Sequence, residues 1–426
     1  MFSNRTTKTV LIALLVTGLL LGAYTAGIGT AWLLVHPAVE SRSDDAIPQR
    51  SGEDSPRSAA ERTGGGDADL SVFWEAWHLV EGNFYGDLPD TQHLAWGALR
   101  GALSTLNDPH TTFLEPEPRQ REVESLSGRF GGIGAHVSKA EDGSIILDPM
   151  PGLPAEGAGV QKGDAVVKVD QAEITSEMTV EEVVGLIRGE VGTLVRLTLR
   201  RQNQAEPMVV EIERQEIPNP SVEARMLEAA SGVGYVRIAI FSDRTGSELG
   251  QALKDLHDQG MTRLILDLRG NGGGLLNAAV EVGSEFLRDG VVAYQVEKGP
   301  RELTLEVKSG GRYTDGPMVV LVDGGTASAS EIVAGALQDR RRAALVGQKT
   351  YGKGSVQSVF DLSDESSVHI TSAQWLTPNR HQISGQGLTP DVEVAITEED
   401  RNQGLDPQLQ RGIEYLTMES RSDESP

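Results

Sequence analysis

At 426 residues the chain is too long for one ordinary domain, and two or three are expected. A net charge of −24 argues against a nucleic-acid phosphate backbone as partner, and zero cysteines exclude disulfides, thiolate catalysis and cysteine-ligated zinc. The eight histidines are scattered, with no H-E-x-x-H and no paired spacing, so no metal site is read from them.

Val10 to Val35 is 26 residues without a charge, enough to cross about 30 Å of hydrocarbon. Arg5 and Lys8 precede it, which keeps residues 1–9 cytoplasmic and sends the rest of the chain outside. The apolar run is longer than a signal-peptide core, so residues 10–35 read as an uncleaved transmembrane signal anchor, with a cleaved signal peptide as the alternative; both place the working part beyond the membrane. The localisation expected is a single-pass membrane protein with its working part on the extracytoplasmic side, periplasm or cell exterior. Residues 36–69 contain only Val39 and Ile47 as large apolar residues and read as a disordered linker.

Folding resumes at Leu70. Phe73, Trp77, Val80 and Phe84 recur at helical spacing, as do Ala95, Leu99, Ala102 and Leu106. Pro89 separates the two runs and Asn107-Asp108-Pro109 stops the second. Residues 70–122 are therefore expected to be a helical segment whose aromatics pack. Residues 123–214 read as a compact β-rich module, with strands at Ile145–Leu147, Val166–Val169, Leu194–Leu199 and Met208–Ile212. Thr179 with Glu182 forms a capping box ahead of a helix whose apolar face is Val180, Val183, Val184 and Ile187.

Residues 215–418 alternate. Strand YVRIAIF precedes a helix near Ser247–Gln259, then strand LILDL, a helix near Leu275–Leu287, strands VVAYQV and MVVLV, and a helix beginning at Ser328. Later strands are expected at Ser355–Phe360 and Val368–Trp375. The fold class expected is mixed α/β (α+β), multidomain, with sites at strand ends. Residues 419–426 read as a disordered tail.

Chemistry concentrates between Gly324 and Gln357, GGTASASEIVAGALQDRRRAALVGQKTYGKGSVQ. Ser328 sits where the strand MVVLV turns into an apolar-faced helix. Lys353 follows 25 residues later, and Gln357 four beyond that. With no G-x-S-x-G elbow in the chain, this pattern suggests a serine nucleophile served by a lysine base. Lysine accepts a proton only when neutral, and lowering its pKa from about 10.4 to near 7 costs about 4–5 kcal/mol, which burial among apolar groups supplies. Glycines on both sides let the backbone fold closely around Lys353. The Gln357 carbonyl is placed to accept from the lysine amine and aim it at Ser328. The N–H of Ala329 at the helix start is one natural oxyanion donor. The loop LILDLRGNGGG offers Gly273 and Gly274 as candidates for the second. Thr326 and Ser330 carry similar hydroxyls, so the turn alone does not single out Ser328. Gly347–Gly352–Lys353 imitates a phosphate loop, but Gly354 stands where a hydroxyl is required; Gly270–Leu275 lacks the last glycine of a dinucleotide fingerprint. No cofactor is read.

Together these residues resemble the C-terminal processing peptidases, also called tail-specific proteases, over about Leu70 to Leu416. TASASEIVAGALQD and TYGKGSVQ are similar to that family's serine and lysine segments. The resemblance implies Ser328 as nucleophile, Lys353 as general base, Gln357 orienting the lysine, and Gly274 with Ala329 as oxyanion donors. DLRGNGGG departs from the family's DLRNNGGG-type loop at Gly270, which is not a donor position. The β-rich module resembles the family's PDZ domain. Its carboxylate-binding loop would be Phe130, Gly131, Gly132, Ile133 and Gly134. Arg188 would correspond to an arginine coupling PDZ position to the active site. LNDPHTTFL and GLTPDVEV also resemble family sequence and read as structural. The resemblance implies a membrane-anchored serine endopeptidase acting on polypeptides with unstructured C-termini, with no nucleic acid as partner, and it leaves a homodimer open. Two competitors stand beside it: an inactive PDZ adaptor on a protease scaffold, and another acyl-transfer or hydratase enzyme with paired N–H donors.

Overall fold

The computed structural model describes residues 70–202, 204 and 206–422. The expected cytoplasmic N-terminus, signal anchor and linker (1–69) lie outside the described residues, as do the last four residues of the expected tail. Among the described residues, no helix is long and apolar enough to cross a membrane. The chain divides into two compact units, Met1–Leu88 and Pro89–Pro426.

The described part of the first unit is one helix, α1 (Ser71–Asn83), with the few residues after it. No residue of α1 is buried, and Phe73, Val80 and Phe84 are exposed. The aromatics expected to pack therefore do not. A single amphipathic helix has nothing within its own described unit to bury against.

In the second unit, α2 (Thr91–Ser104) is capped by the Asp90 side chain, and β1 (Thr112–Leu114) and α3 (Pro116–Ser127) follow. Gly128 ends α3 in the left-handed conformation at φ 68°. A β-rich stretch comes next. It contains β2 (Arg129–Gly132), β3 (Ala135–Lys139), β4 (Ile145–Pro149), α4 (Pro154–Gly157), β5 (Asp164–Val169), β6 (Ala172–Glu173), α5 (Val180–Ile187), β7 (Leu194–Arg200) and β8 (Met208–Glu213). Strands pair antiparallel in the order β3-β4-β5-β7-β8, with β6 on β5. Alternate residues Val195, Leu197 and Leu199 of β7 face a core shared with Ile145, Leu147, Val183 and Ile187. The Thr179 capping box forms as expected, with Thr179 N–H donating to Glu182 at 2.7 Å and Glu182 N–H to Thr179 Oγ1 at 3.2 Å.

β9 (Gln215–Pro218) pairs with β2 and leads into the α/β layer. This comprises β10 (Val222–Met226), β11 (Val233–Ile238), α6 (Thr245–Asp258), β12 (Arg263–Asp267), α7 (Leu276–Phe286), β13 (Val291–Glu297), β14 (Glu302–Glu306), β15 (Met318–Val322), α8 (Ala329–Asp339) and β16 (Ala344–Gly347). β17 (Ser355–Asp361), β18 (Ser367–Leu376), β19 (Val392–Glu393), α9 (Glu398–Gln403) and α10 (Pro407–Ser422) complete it. The main sheet runs β10-β11-β12-β15-β16-β19, parallel except at the β10 edge. Leu264, Leu266, Val320 and Val322 face the helices α6, α7 and α8. Ile265, Val319 and Leu321 face the opposite way, onto Leu409, Ile413 and Leu416 of α10. Both faces are covered, which is why these strands read as unbroken apolar runs.

One placement that the sequence left open and one boundary are settled here. VVAYQV (β13), read only as a strand among the alternating elements, lies in an antiparallel sheet ordered β1-β18-β13-β14, with β17 on β18. Its burial fades along its length, as suits a strand with one solvated face. Helix α10 continues through Ser422, into the expected tail, because its apolar face seats on the sheet. Leu416→Ala, at a fully buried position, is expected to cost about 2–5 kcal/mol of stability, read as a lower urea midpoint with unchanged slope. An unchanged midpoint would show that α10 is not part of the cooperative fold.

Candidate active site

Parallel sheets place functional groups at the carboxyl ends of their strands. Three adjacent strands do so here. β12 ends in the loop carrying Gly272–Gly274, β15 in the turn carrying Ser328, and β16 in the turn carrying Lys353. Ser328, Lys353, Gln357 and the three glycines line one cavity of about 480 Å³. Its remaining walls include Leu126, Ile240, Leu275, Val356 and Trp375, so it is largely apolar.

Ser328 has φ 56° and ψ −117°, a backbone conformation that non-glycine residues rarely hold and that costs about 1–3 kcal/mol. The strain is confined to the residue that must present its hydroxyl at the turn. Its neighbours separate from it chemically. Thr326 is fully buried and donates to Leu268 O at 2.9 Å, and Ser330 is fully buried and donates to Asn271 O at 2.8 Å. The half-buried Ser328 hydroxyl donates to no acceptor among the described residues.

The glycine loop reaches Ser328 because it lacks side chains. A Cβ on Gly273 would lie 2.8 Å from Ser328 Cβ and 3.1 Å from Ala329 N. Gly273 N–H is already given to Asn271 Oδ1 at 2.9 Å, whereas the N–H groups of Gly274 and Ala329 have no partner among the described residues. Two convergent, unspent N–H donors beside a hydroxyl are what an oxyanion hole requires. Asn271, missed from sequence, builds this loop. It is fully buried, donates Nδ2 to Ile238 O at 2.8 Å, and its carbonyl accepts Ala327 N at 3.0 Å.

Lys353 is half-buried. Burial holds its amine below the ordinary lysine value, while the Glu122 carboxylate pulls the other way. A Cβ on Gly354 would lie 2.2 Å from Ser384 N, so the flanking glycines do let the chain close tightly around the lysine. Burial also works on Glu122, but His369 and Arg119 hold its carboxyl below the usual carboxylate range. The Arg119 contact is 2.7 Å and the His369 contact 3.3 Å. No hydrogen bond joins Ser328 to the Lys353 amine or that amine to Gln357; the Gln357 Nε2 donates to His110 O instead. Serine and lysine thus share the cavity without the contact that proton transfer needs, a looseness common in free enzymes.

Glu331 was not anticipated, although Ser328-x-x-Glu331 has the capping-box spacing that could have found it. It is fully buried, and its carboxylate takes four donors. Ser328 N–H donates at 3.0 Å and Lys353 N–H at 2.9 Å to Oε2, and Gly352 N–H at 2.8 Å and Thr350 Oγ1 to Oε1. One side chain therefore fixes both the serine turn and the lysine turn.

In the β-rich module, Phe130, Gly132, Ile133 and Gly134 line a groove of about 300 Å³ with Val184, Ile187 and Arg188; Gly131 lines an adjoining hollow. The five expected loop residues play two parts. Phe130, Gly131 and Gly132 pair with β9, while the N–H groups of Ile133 and Gly134 have no partner among the described residues. Their carbonyls accept Ala155 N at 2.7 Å and Met150 N at 2.9 Å, which holds the two N–H groups outward. Arg188 stacks over Phe130 at 3.8 Å, its Nε is buried without a partner, and its guanidinium is 3.9 Å from Glu124 of α3.

Comparison with known proteins agrees with this architecture. Residues 232–394 match the model of peptidase family S41 and residues 145–201 that of the PDZ domain. A carboxy-terminal-processing protease of Bartonella bacilliformis is 36% identical over 330 residues, spanning 76% of this chain and 75% of that one. The carboxy-terminal processing protease CtpA of Bacillus subtilis is 35% identical, spanning 78% and 70%. A carboxyl-terminal-processing protease of Picosynechococcus is 35% identical, spanning 80% and 84%. The fold is that of a mixed α/β serine-type peptidase with a PDZ domain. The chain belongs to peptidase family S41, among the C-terminal processing proteases.

Two outcomes follow from the geometry. Glu331→Gln turns an –NH₂ toward backbone N–H donors and leaves buried groups unpaired, each worth about 1–3 kcal/mol. It is expected to lower both Tm and kcat, measured by calorimetry and peptide turnover. Wild-type values for both would remove Glu331 as the link between the turns. Glu122→Gln removes a charge that favours the ammonium, so the acid limb of kcat/KM is expected to move to lower pH; a shift upward or none would contradict the placement of that charge.

Proposed function

We propose that this chain is a membrane-anchored serine endopeptidase that captures the unstructured C-terminal tails of exported proteins in its PDZ groove and cuts near the C-terminus. The observation that carries this reading is the convergence of Ser328, two unspent N–H donors and a half-buried lysine of lowered basicity at the ends of three neighbouring strands.

In this mechanism Ser328 Oγ attacks the scissile carbonyl carbon while its proton passes to the neutral Lys353 amine. The carbonyl oxygen becomes an oxyanion held by the N–H groups of Gly274 and Ala329. Collapse breaks the C–N bond, and the leaving amine takes the proton from Lys353. Water then attacks the acyl-enzyme ester, giving its proton to Lys353, and the ester C–O bond breaks as Ser328 recovers a proton. Gln357 orients the lysine. No cofactor takes part.

The Ile133 and Gly134 N–H groups receive the tail's carboxylate. Arg188 carries PDZ occupancy toward the site, through Glu124 on the same helix as Glu122. Residues 10–35 anchor the protein, 36–69 tether it, and the helical (70–122), PDZ (123–214) and catalytic (215–418) parts work on the extracytoplasmic side.

Incubating the full chain with proteins bearing unstructured tails, and mapping new C-termini by mass spectrometry, tests the proposal. New termini are expected with wild type and none with Ser328→Ala. Lys353→Arg keeps the charge but stays protonated, so turnover is expected to drop about 10²–10⁴-fold. Retained cleavage in Ser328→Ala would refute the nucleophile, and in Lys353→Arg the base.

A further inference from the structure

We propose that the segment Asn107–Thr111 is a positioning element of the catalytic site: the His110 carbonyl sets which way the Gln357 amide faces. The inference rests on the Ser328–Lys353–Gln357 reading and gives work to a stretch that the sequence reads as a helix stop and as structural.

The segment is held rigidly. Asp108 accepts His110 N–H at 3.1 Å and the Thr111 hydroxyl at 2.7 Å, an Asx-type turn that ends α2. Thr111 is buried, and its Oγ1 also accepts Thr371 N–H at 3.1 Å, which ties the turn to β18. β1 then pairs antiparallel with β18, Thr112 opposite His369. On the other side of β18, Gln357 stands opposite Thr371, beside an irregularity between Val356 and Gln357. Such irregularities re-aim side chains, and here the Gln357 side chain meets the His110 carbonyl, to which its Nε2 donates.

An amide has two unlike ends, two N–H donors and one acceptor oxygen. A carbonyl at one end selects between them, because the flipped amide would set oxygen against oxygen. With Nε2 given to His110, Oε1 is the end left for the lysine, whose amine lines the same cavity. That choice matters for the chemistry. An amide N–H aimed at a neutral amine would occupy the lone pair needed for the Ser328 proton. An amide oxygen instead accepts one of the amine's own hydrogens and leaves the lone pair free to turn toward serine.

A double-mutant cycle on the full chain tests this, with kcat, KM and Tm measured for Thr111→Val, Gln357→Ala and the pair on a peptide with a free C-terminal tail. Thr111→Val removes the hydroxyl that ties the turn to Asp108 and Thr371. Each single change is expected to lower kcat about tenfold with KM within about twofold, and the pair to fall no further than Gln357→Ala alone. A purely structural role for Thr111 predicts losses that multiply, and that result, or an unaltered kcat in Thr111→Val, overturns the inference. Should Thr111→Val not fold, Asp108→Ala enters the same cycle with the same expectation. If Gln357→Ala itself turns over normally, the role of Gln357 falls and this inference with it. If Gln357→Ala is impaired but the losses multiply, only this inference falls.

Discussion

The site depends on one buried carboxylate. Ser328 and Lys353 lie on loops after different strands, and nothing in the parallel ladder between β15 and β16 fixes how those loops sit together. Glu331 does so by accepting a backbone N–H from each, with Gly352 N–H and Thr350 Oγ1 completing its shell. A carboxylate without water is costly unless each oxygen is satisfied, and hydrogen bonds to a charged acceptor are stronger than neutral ones. The four donors meet that requirement. Because they are short-range and directional, they also fix the spacing of two loops that carry flexible glycines. Thr350 extends the clamp, since its Oγ1 accepts Leu388 N–H at 2.7 Å.

Around this clamp, what the backbone leaves unpaired is as informative as what it pairs. Buried N–H groups are nearly always satisfied. The loops here spend theirs selectively: Gly273 gives its N–H to Asn271, Ser328 to Glu331, and Ala327 to Asn271 O. Gly274, on the cavity wall, and Ala329, next to Ser328, are left over among the described residues. The β-rich module repeats the pattern at smaller scale, with the carbonyls of Ile133 and Gly134 engaged and their N–H groups free. Two anion-binding features, one suited to a transient oxyanion and one to a permanent carboxylate, thus arise from the same device.

Much of this was legible in the sequence. Strand-to-helix turns and glycines are local signals, and the parallel strands announce themselves as apolar runs; the roles of Ser328, Lys353 and Gln357 rest on the family resemblance as well, and the structure brings the three to one cavity without joining them. The capping box at Thr179 is likewise local, and it forms. What stayed hidden depends on contacts distant along the chain. The capping-box spacing from Ser328 to Glu331 is local, but nothing near it shows that the same carboxylate also takes the N–H of Lys353, 22 positions later. His110 and Gln357 are separated by 247 positions, and their contact exists only because β18 lies between β1 and β17. The helical periodicity of α1 was read correctly as a helix but not as a packed one, since periodicity reports a face and not what covers it. The sheet that β13 joins was not legible, because an apolar run does not reveal its partners.

The lysine raises the remaining physical question, how an amine in a cavity that must admit substrate stays uncharged. Half-burial depresses its basicity only in part, and Glu122 in the same cavity favours the ammonium. An isolated carboxylate there would defeat the mechanism. Glu122 is not isolated: Arg119 and His369 share its charge, which weakens the field it exerts on Lys353. When a polypeptide fills the cavity, water leaves and electrostatic interactions strengthen. Desolvation then acts on the full charge of the ammonium, whereas the opposing carboxylate is already divided between two partners. In the proposed mechanism, filling the site favours the neutral form of the amine, the form a general base requires.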